Sequence, residues 1–175
     1  LIPFLNKMCK LLIKNATVIN EGKRFIKDVL IEEEKISSIS TNITIDSTTE
    51  VIDANGLILI PGMIDDQVHF REPGLTHKGN ILSESKAAIA GGVTSYIEMP
   101  NTSPNTTTIK EFNKKIKIAT TDSFANFSFM FGGTNDNIDE IKKIDPSKVP
   151  GIKLFLGSST GKMLIDNLNS IEKIF

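Results

Sequence analysis

Side chains that could bind a metal ion and an anion alternate along one short stretch of the sequence. Asp65, Gln67, His69 and Arg71 occupy every second position. Successive side chains of a β-strand point to opposite faces, so a strand from Met63 to Phe70 would direct these groups to one face. A metal ion and an anionic substrate would pair with them there, although a buried polar network fits the same pattern.

Two later polar residues stand at or inside predicted strands. Asn101 follows a predicted strand over 93–99, and Lys153 lies within an apolar strand over 151–156. A buried ammonium group is costly, so Lys153 should be paired, neutralised or modified, unless its stem is buried while its head reaches solvent. A Pro-Asn pair is commonly a plain turn, but at the carboxyl end of a parallel strand Asn101 could also line a site.

Alternating strands and helices must position these residues. From Pro61 onward a strand-helix unit recurs about every thirty residues, which predicts a parallel sheet, either open or closed into a barrel. A complete (β/α)8 barrel needs about 250 residues, so only about half of one fits here, and we expect the barrel to continue beyond Phe175. The predicted strands are 63–70, 93–99, 124–131 and 151–156, and the predicted helices are 81–90, 109–119 and 138–144.

The preceding part of the chain has short β-branched runs and no helical period. Its Asn55-Gly56 pair predicts a hairpin between two of these runs, because both residue types tolerate positive φ. We therefore predict two domains, a small β-module over 9–60 and the beginning of an α/β domain over 61–175. We also expect translation to begin at Met8, with residues 1–7 read through from upstream sequence.

Composition limits the function classes. The 175 residues carry a net charge of -1, and 39% are hydrophobic. This balance argues against nucleic-acid and membrane-surface binding, and the lysines from Lys110 to Lys117 are expected to form a solvated helix face. The single cysteine, Cys9, excludes an internal disulfide framework and favours a cytoplasmic setting.

The run Asp65–Gly74 resembles the Asp-x-His-x-His-x-Arg-x-Pro-Gly signature of the amidohydrolase superfamily, in the form found in dihydroorotases and allantoinases. The resemblance implies that His69 binds a metal ion and that Arg71 binds the substrate carboxylate with its guanidinium fork. Gln67 replaces the first histidine of the signature, and its amide oxygen is a weaker zinc ligand than an imidazole.

Two further motifs resemble the same family. Met99-Pro100-Asn101-Thr102 is similar to a dihydroorotase motif, which implies that Asn101 also binds the substrate carboxylate. The Gly151–Phe155 run is similar to the Gly-x-Lys-x-Phe context in which a lysine is carboxylated, so Lys153 is implied to be a metal-bridging carbamate. The implied fold is a TIM-type (β/α)8 barrel, of which about the first half is present, preceded by a small β-sandwich.

The implied reaction is the reversible hydrolysis of (S)-dihydroorotate to N-carbamoyl-L-aspartate in pyrimidine biosynthesis, with one or two zinc ions per complete protein. No residue of this chain is assigned as the general base, because the aspartate with that role is expected beyond Phe175. One alternative is an allantoinase or hydantoinase. Another is a non-catalytic scaffold subunit, which is compatible with Gln67 in place of a metal-binding histidine. The expected partners are a small-molecule substrate and either a second copy of the protein or a transcarbamoylase.

The isolated 175-residue chain is predicted to be inactive, because further metal ligands and the general base would be missing. An assay of dihydroorotate hydrolysis by this chain, with added zinc, should give no turnover above background. Clear turnover would mean that the catalytic groups have been assigned to the wrong part of the protein.

Overall fold

The structure is a computed structural model that describes residues 10–159 and 161–175. Met8, Cys9 and the preceding residues, on which the predicted start of translation rests, lie outside the described residues. The chain divides into two compact units, the first ending at Pro61 and the second spanning Gly62–Phe175. Within the described ranges, no helix has the length and apolar character that a membrane span requires.

The first unit is one five-stranded sheet. Strand β1 is paired antiparallel with β2, which continues antiparallel to β3, while β4 and β5 both lie parallel to β1. The β1–β2 turn uses Glu21 and Gly22, which both have positive φ, as a tight hairpin requires. The strands are β1 (Lys10–Asn20), β2 (Lys23–Glu32), β3 (Lys35–Ser40), β4 (Glu50–Asp53) and β5 (Ile58–Leu59).

The predicted hairpin at Asn55-Gly56 is wrong. β4 pairs with Leu11–Lys14 and β5 with Thr17–Val18, so the two short strands follow one another along the same edge of β1. The pairing of β1 with β2 shifts register between Ile13 and Ala16, at a bulge that divides this long strand. The Asn55-Gly56 turn therefore connects two segments of one edge instead of folding β5 back on β4.

The first unit has a small hydrophobic core of its own. Its buried cluster consists of Ala16, Val18, Val29 and Ala54. A sandwich needs a second sheet packed on the first, and residues 10–61 form only the sheet just described. The predicted β-sandwich therefore stays a prediction.

The second unit is α/β. Strands β6, β7 and β8 form a parallel sheet in that order, and β9 pairs parallel with β10. Only Met130 separates β8 from β9, so the chain direction continues from one to the other. The elements are β6 (Met63–Val68), α1 (Ile81–Ala90), β7 (Val93–Glu98), α2 (Ile109–Asp122), β8 (Asn126–Phe129), β9 (Phe131–Gly132), α3 (Ile138–Ile141), β10 (Ile152–Lys153) and α4 (Leu168–Ile174).

Helix ends in the second unit follow from local sequence. Asn80 caps α1 by accepting the Ser83 N–H, and Gly91-Gly92 closes the helix, with Gly92 at positive φ. Thr108 caps α2 in the same way through the Glu111 N–H. These helices pack aromatic and aliphatic side chains against the sheet, forming the core of Phe70, Ile81, Tyr96, Phe112, Ala119, Ala125, Phe129, Phe131 and Val149.

One lysine of α2 corrects the predicted solvated face over 110–117. Lys115 is fully buried, and its Nζ lies 2.9 Å from Oε2 of Glu98. The same Nζ donates a hydrogen bond to the Met99 carbonyl at 3.0 Å and lies 4.9 Å from the Phe129 ring centroid. The helix therefore places this one cation against the sheet, while the neighbouring Lys114 stays largely exposed.

Burial works against both charges of the pair. It raises the pKa of Glu98 and lowers the pKa of Lys115, and in each case the charge of the partner opposes the shift. An ion pair in such surroundings is sensitive to the loss of either member, because the remaining charge stays desolvated without compensation.

Replacing Lys115 alone is predicted to destabilise the protein. The change Lys115→Met should lower the free energy of unfolding by about 3–5 kcal/mol, since it leaves the Glu98 carboxylate buried and unpaired. The matched control Lys114→Met, on the exposed side of the same helix, should change it by no more than about 0.5 kcal/mol. Urea unfolding curves measure both changes, and equal effects would contradict a dependence on the buried pair.

Candidate active site at the strand ends

The carboxyl ends of the parallel strands carry most of the residues singled out in the sequence. His69 follows β6, Asn101 follows β7, and Lys153 is the last residue of β10. Since parallel strands run in one direction, these ends lie on the same edge. Two hydrogen bonds between residues far apart in sequence connect the groups there, one from His69 to Asn101 and one from Lys153 to Gln67.

The imidazole of His69 is oriented by Asn101. Nδ1 of His69 lies 2.9 Å from Oδ1 of Asn101, and Nδ2 of Asn101 lies 3.5 Å from Oγ of Ser159. Because the amide oxygen only accepts hydrogen bonds, Nδ1 carries the proton. The Nε2 atom therefore keeps the lone pair that a metal ligand needs, and an oriented second nitrogen is typical of metal-binding histidines.

The protonation of His69 agrees with this role. Partial desolvation of the ring lowers its pKa, the hydrogen bond with Asn101 opposes this shift, and the positive charges of Arg71, Lys153 and Lys115 lower the pKa further. The imidazole is consequently neutral near pH 7, which is the form that can bind a metal ion.

Lys153 is half-buried and has two neighbours at the strand edge. Its Nζ donates a hydrogen bond of 3.3 Å to Oε1 of Gln67 and lies 5.4 Å from the ring centroid of Phe155. The strand predicted over 151–156 is shorter in the structure, where β10 covers only Ile152–Lys153. The ammonium group therefore has a neutral polar neighbour at the strand edge, and its carbamate form stays a prediction.

The backbone of Arg71 does not continue the strand as predicted. β6 ends at Val68 and not at Phe70, and its pairing with β7 shifts register between Asp65 and Val68. Arg71 itself has φ 73, so the strand alternation that would have grouped it with Gln67 and His69 does not reach it. This left-handed conformation costs an L-residue about 1–2 kcal/mol, which the surrounding contacts must offset.

Strand β6 is exposed in the part of the protein that the structure describes. β6 is the edge strand of its sheet, and the side chains of Met63 and Ile64 are 61% and 68% exposed. Asp65 and Gln67 are exposed as well. The burial of this strand in a complete barrel stays a prediction, and the contacts observed at this edge are those of His69 and Lys153.

Backbone contacts hold the Arg71 turn in place. Its N–H donates to Oε1 of Glu98 at 2.9 Å, and its carbonyl accepts from the Leu75 N–H at 3.0 Å. Sequence reasoning gave Glu98 no role, although an acidic residue between apolar strand neighbours is a signal that something must pair with it. The approach of Ser159 to Asn101 is likewise a contact that no local pattern indicates.

The turns after β6 and β7 also interlock. The Ser103 N–H donates to the Pro73 carbonyl at 3.0 Å, and the Met99 N–H donates to the Val68 carbonyl at 3.0 Å. Gly74 has φ 83, and a Cβ at this position would overlap the Ser103 carbonyl oxygen. Only glycine satisfies both the conformation and the close approach. The two turns that carry Arg71 and Asn101 are therefore held against each other.

Three side chains at this edge are potential ligands of a zinc ion. His69 has the orientation and protonation of a ligand, and the amide oxygen of Gln67 is a weaker donor. Lys153 would become a ligand only as an anionic carbamate. Within residues 10–159 and 161–175, no three histidine, cysteine, aspartate or glutamate residues come together as a metal-binding group. These residues therefore fit part of a zinc site.

Comparison with known proteins identifies relatives over most of the chain. No family model matches the chain. It is 37% identical over 155 residues to a dihydroorotase of Methanosarcina acetivorans, covering 88% of this chain and 33% of the relative. It is 49% identical over 112 residues to a dihydroorotase of Carboxydothermus hydrogenoformans, covering 61% of this chain and 26% of the relative.

The fold has solved counterparts among related enzymes. An L-hydantoinase (dihydropyrimidinase) from Arthrobacter aurescens superimposes with a TM-score of 0.87 at 28% identity, over 96% of this chain and 38% of that one. The chain spans about a third of the length of the curated relatives it matches. Together, these relatives and the residues at the strand ends show that the chain belongs to the dihydroorotase group of the amidohydrolase superfamily.

Proposed function

We propose that the second unit is the first part of a (β/α)8 barrel. Its strands follow one another in space in the order of the sequence and run parallel, which is the arrangement of a barrel and not of a doubly wound sheet with a reversal of order. The superposition on a hydantoinase over nearly the whole chain supports this assignment. In such barrels the catalytic groups lie at the carboxyl ends of the strands, where His69, Asn101 and Lys153 lie.

We propose that the protein containing this chain is a dihydroorotase, which interconverts (S)-dihydroorotate and N-carbamoyl-L-aspartate. The observation that carries the proposal is the hydrogen bond of 2.9 Å between His69 and Asn101. It places an imidazole suited to a metal ion against an amide suited to a substrate carboxylate. The matching relatives named dihydroorotase support this choice of reaction.

The substrate carboxylate would be bound by Arg71 and Asn101. A guanidinium group binds a carboxylate through two parallel hydrogen bonds, which fixes the orientation of the ring as well as its position. Asn101 has an amide N–H to add, since its Oδ1 is engaged by His69 and its Nδ2 makes only a long contact of 3.5 Å with Ser159.

Zinc would be held partly by this chain, through Nε2 of His69 and a carbamate on Lys153, with Gln67 as a weak neighbour. The chemistry that zinc supplies in such sites is the activation of water for attack on an amide carbonyl. Further ligands and the general-base aspartate would come from the part of the barrel beyond the strands described here. One or two zinc ions per protein are compatible with the substitution at Gln67.

Two alternatives have specific support. The hydantoinase that superimposes on this chain favours a cyclic amidase with another ring as substrate. Gln67, in place of a metal-binding histidine, favours a non-catalytic scaffold. We further propose a place in pyrimidine biosynthesis in the cytoplasm, with a second copy of the protein or a transcarbamoylase as the partner.

Arg71 is predicted to set the preference for a carboxylate-bearing ring. The full-length protein should hydrolyse dihydroorotate in preference to hydantoin and allantoin. Arg71→Lys should lower kcat/KM for dihydroorotate roughly 10- to 100-fold, because an ammonium group cannot form the bidentate contact. Steady-state assays with the three substrates measure the effect.

The only other arginine of this chain supplies a matched control. Arg24→Lys, on an exposed position of β2, should leave kcat/KM unchanged. Faster turnover of hydantoin or allantoin by the unmodified protein would instead favour the cyclic-amidase alternative.

The zinc content of the full-length protein is predicted to depend on His69. His69→Ala should reduce the zinc content by about one ion per protein, because alanine cannot replace an imidazole ligand. The control is His77→Ala, which removes the exposed second histidine of this chain and should leave the zinc content unchanged. Atomic absorption after dialysis measures both. Unmodified protein without zinc would favour the scaffold alternative.

A further inference from the structure

We propose that Glu98 is a positioning residue for the substrate-binding Arg71, and that Lys115 holds Glu98 in place. The inference rests on the proposed role of Arg71 at the strand ends. Neither Glu98 nor Lys115 would touch substrate, since both side chains are buried. Their effect would pass through the backbone of the turn that follows β6.

The two oxygens of Glu98 face different partners. Oε1 accepts the backbone N–H of Arg71 at 2.9 Å, and Oε2 faces Nζ of Lys115 at 2.9 Å. Nζ of Lys115 also donates to the carbonyl of Met99, at 3.0 Å. One buried ion pair therefore contacts the backbone of the turn that carries Arg71 and the backbone of the turn that leads to Asn101.

Arg71 needs this restraint more than an ordinary loop residue does. Its φ of 73 lies in the left-handed region, which an L-residue leaves unless its surroundings hold it there. The N–H contact with Glu98 fixes one side of the residue, and the Leu75 N–H bound to its carbonyl fixes the other. This backbone conformation sets the direction of the Cα–Cβ bond, from which the Arg71 side chain extends.

A purely structural pair would behave differently from a positioning pair. An apolar replacement of both ions usually preserves stability when their volume is retained. If the pair served stability alone, such a replacement would also preserve substrate binding. If Glu98 positions Arg71, the replacement removes the acceptor of the Arg71 N–H and weakens binding even in a stable protein.

Two double variants of the full-length protein separate these roles. Glu98→Leu with Lys115→Met removes both charges and the acceptor. Glu98→Gln with Lys115→Met removes the same charges and keeps a side-chain oxygen that can accept the Arg71 N–H. The two variants share Lys115→Met and differ at position 98, where glutamine keeps an acceptor and leucine has none. Neither leaves an unpaired buried ion, which avoids the folding defect expected of Lys115→Met alone.

The leucine variant should raise the KM for dihydroorotate roughly tenfold with kcat changed by less than about twofold, as expected for loss of one binding orientation. The glutamine variant should return KM to within about threefold of the unmodified protein. Amide hydrogen exchange should accelerate at Arg71 in the leucine variant and not in the glutamine variant, while the amides of β7 keep their protection.

The exchange measurement distinguishes failure of this inference from failure of the proposed function. If the unmodified protein does not turn over dihydroorotate, the proposed function fails, and accelerated exchange at Arg71 still supports the restraint by Glu98. Unchanged exchange at Arg71 in the leucine variant would overturn the inference whatever the substrate. Equal KM values for the two double variants would overturn it as well.

Discussion

The parallel pairing of neighbouring strands is the constraint on which the candidate site depends. Because β6, β7 and β8 run in one direction, the residues that follow them emerge at one edge, as does Lys153 at the end of β10. Residues more than thirty positions apart in sequence then come within hydrogen-bond distance, as His69 and Asn101 do. Without this shared direction, the signature around His69 would be an isolated polar turn.

The same edge shows what could be predicted from the sequence and what could not. The strand-helix period predicted α1 at its observed bounds and placed Asn101 after the end of a strand, because periodicity and glycine caps are local signals. It placed Lys153 inside a strand over 151–156, whereas β10 ends at this residue. It could not predict that β6 ends two residues early or that Arg71 has positive φ. The Arg71 N–H at this turn donates to the Glu98 carboxylate, which comes from a different strand and is not a local signal.

The error at Lys115 has a related cause. A lysine among other lysines on a helix is usually solvated, and only the tertiary position of Glu98 makes its burial tolerable. The hairpin expected at Asn55-Gly56 fails for the same reason, since the residues specify a tight turn but not the strand with which the next segment pairs. Local patterns thus indicated turns and candidate binding residues, whereas strand pairing and the burial of side chains depend on long-range contacts.

The glycine at position 74 has a consequence for how this site can change. Its missing side chain lets the turn after β6 lie directly on the carbonyl of Ser103. The arginine and the asparagine proposed to bind the carboxylate therefore lie on two turns that pack directly against each other. An insertion in either turn would disturb both residues at once, because each turn supports the other.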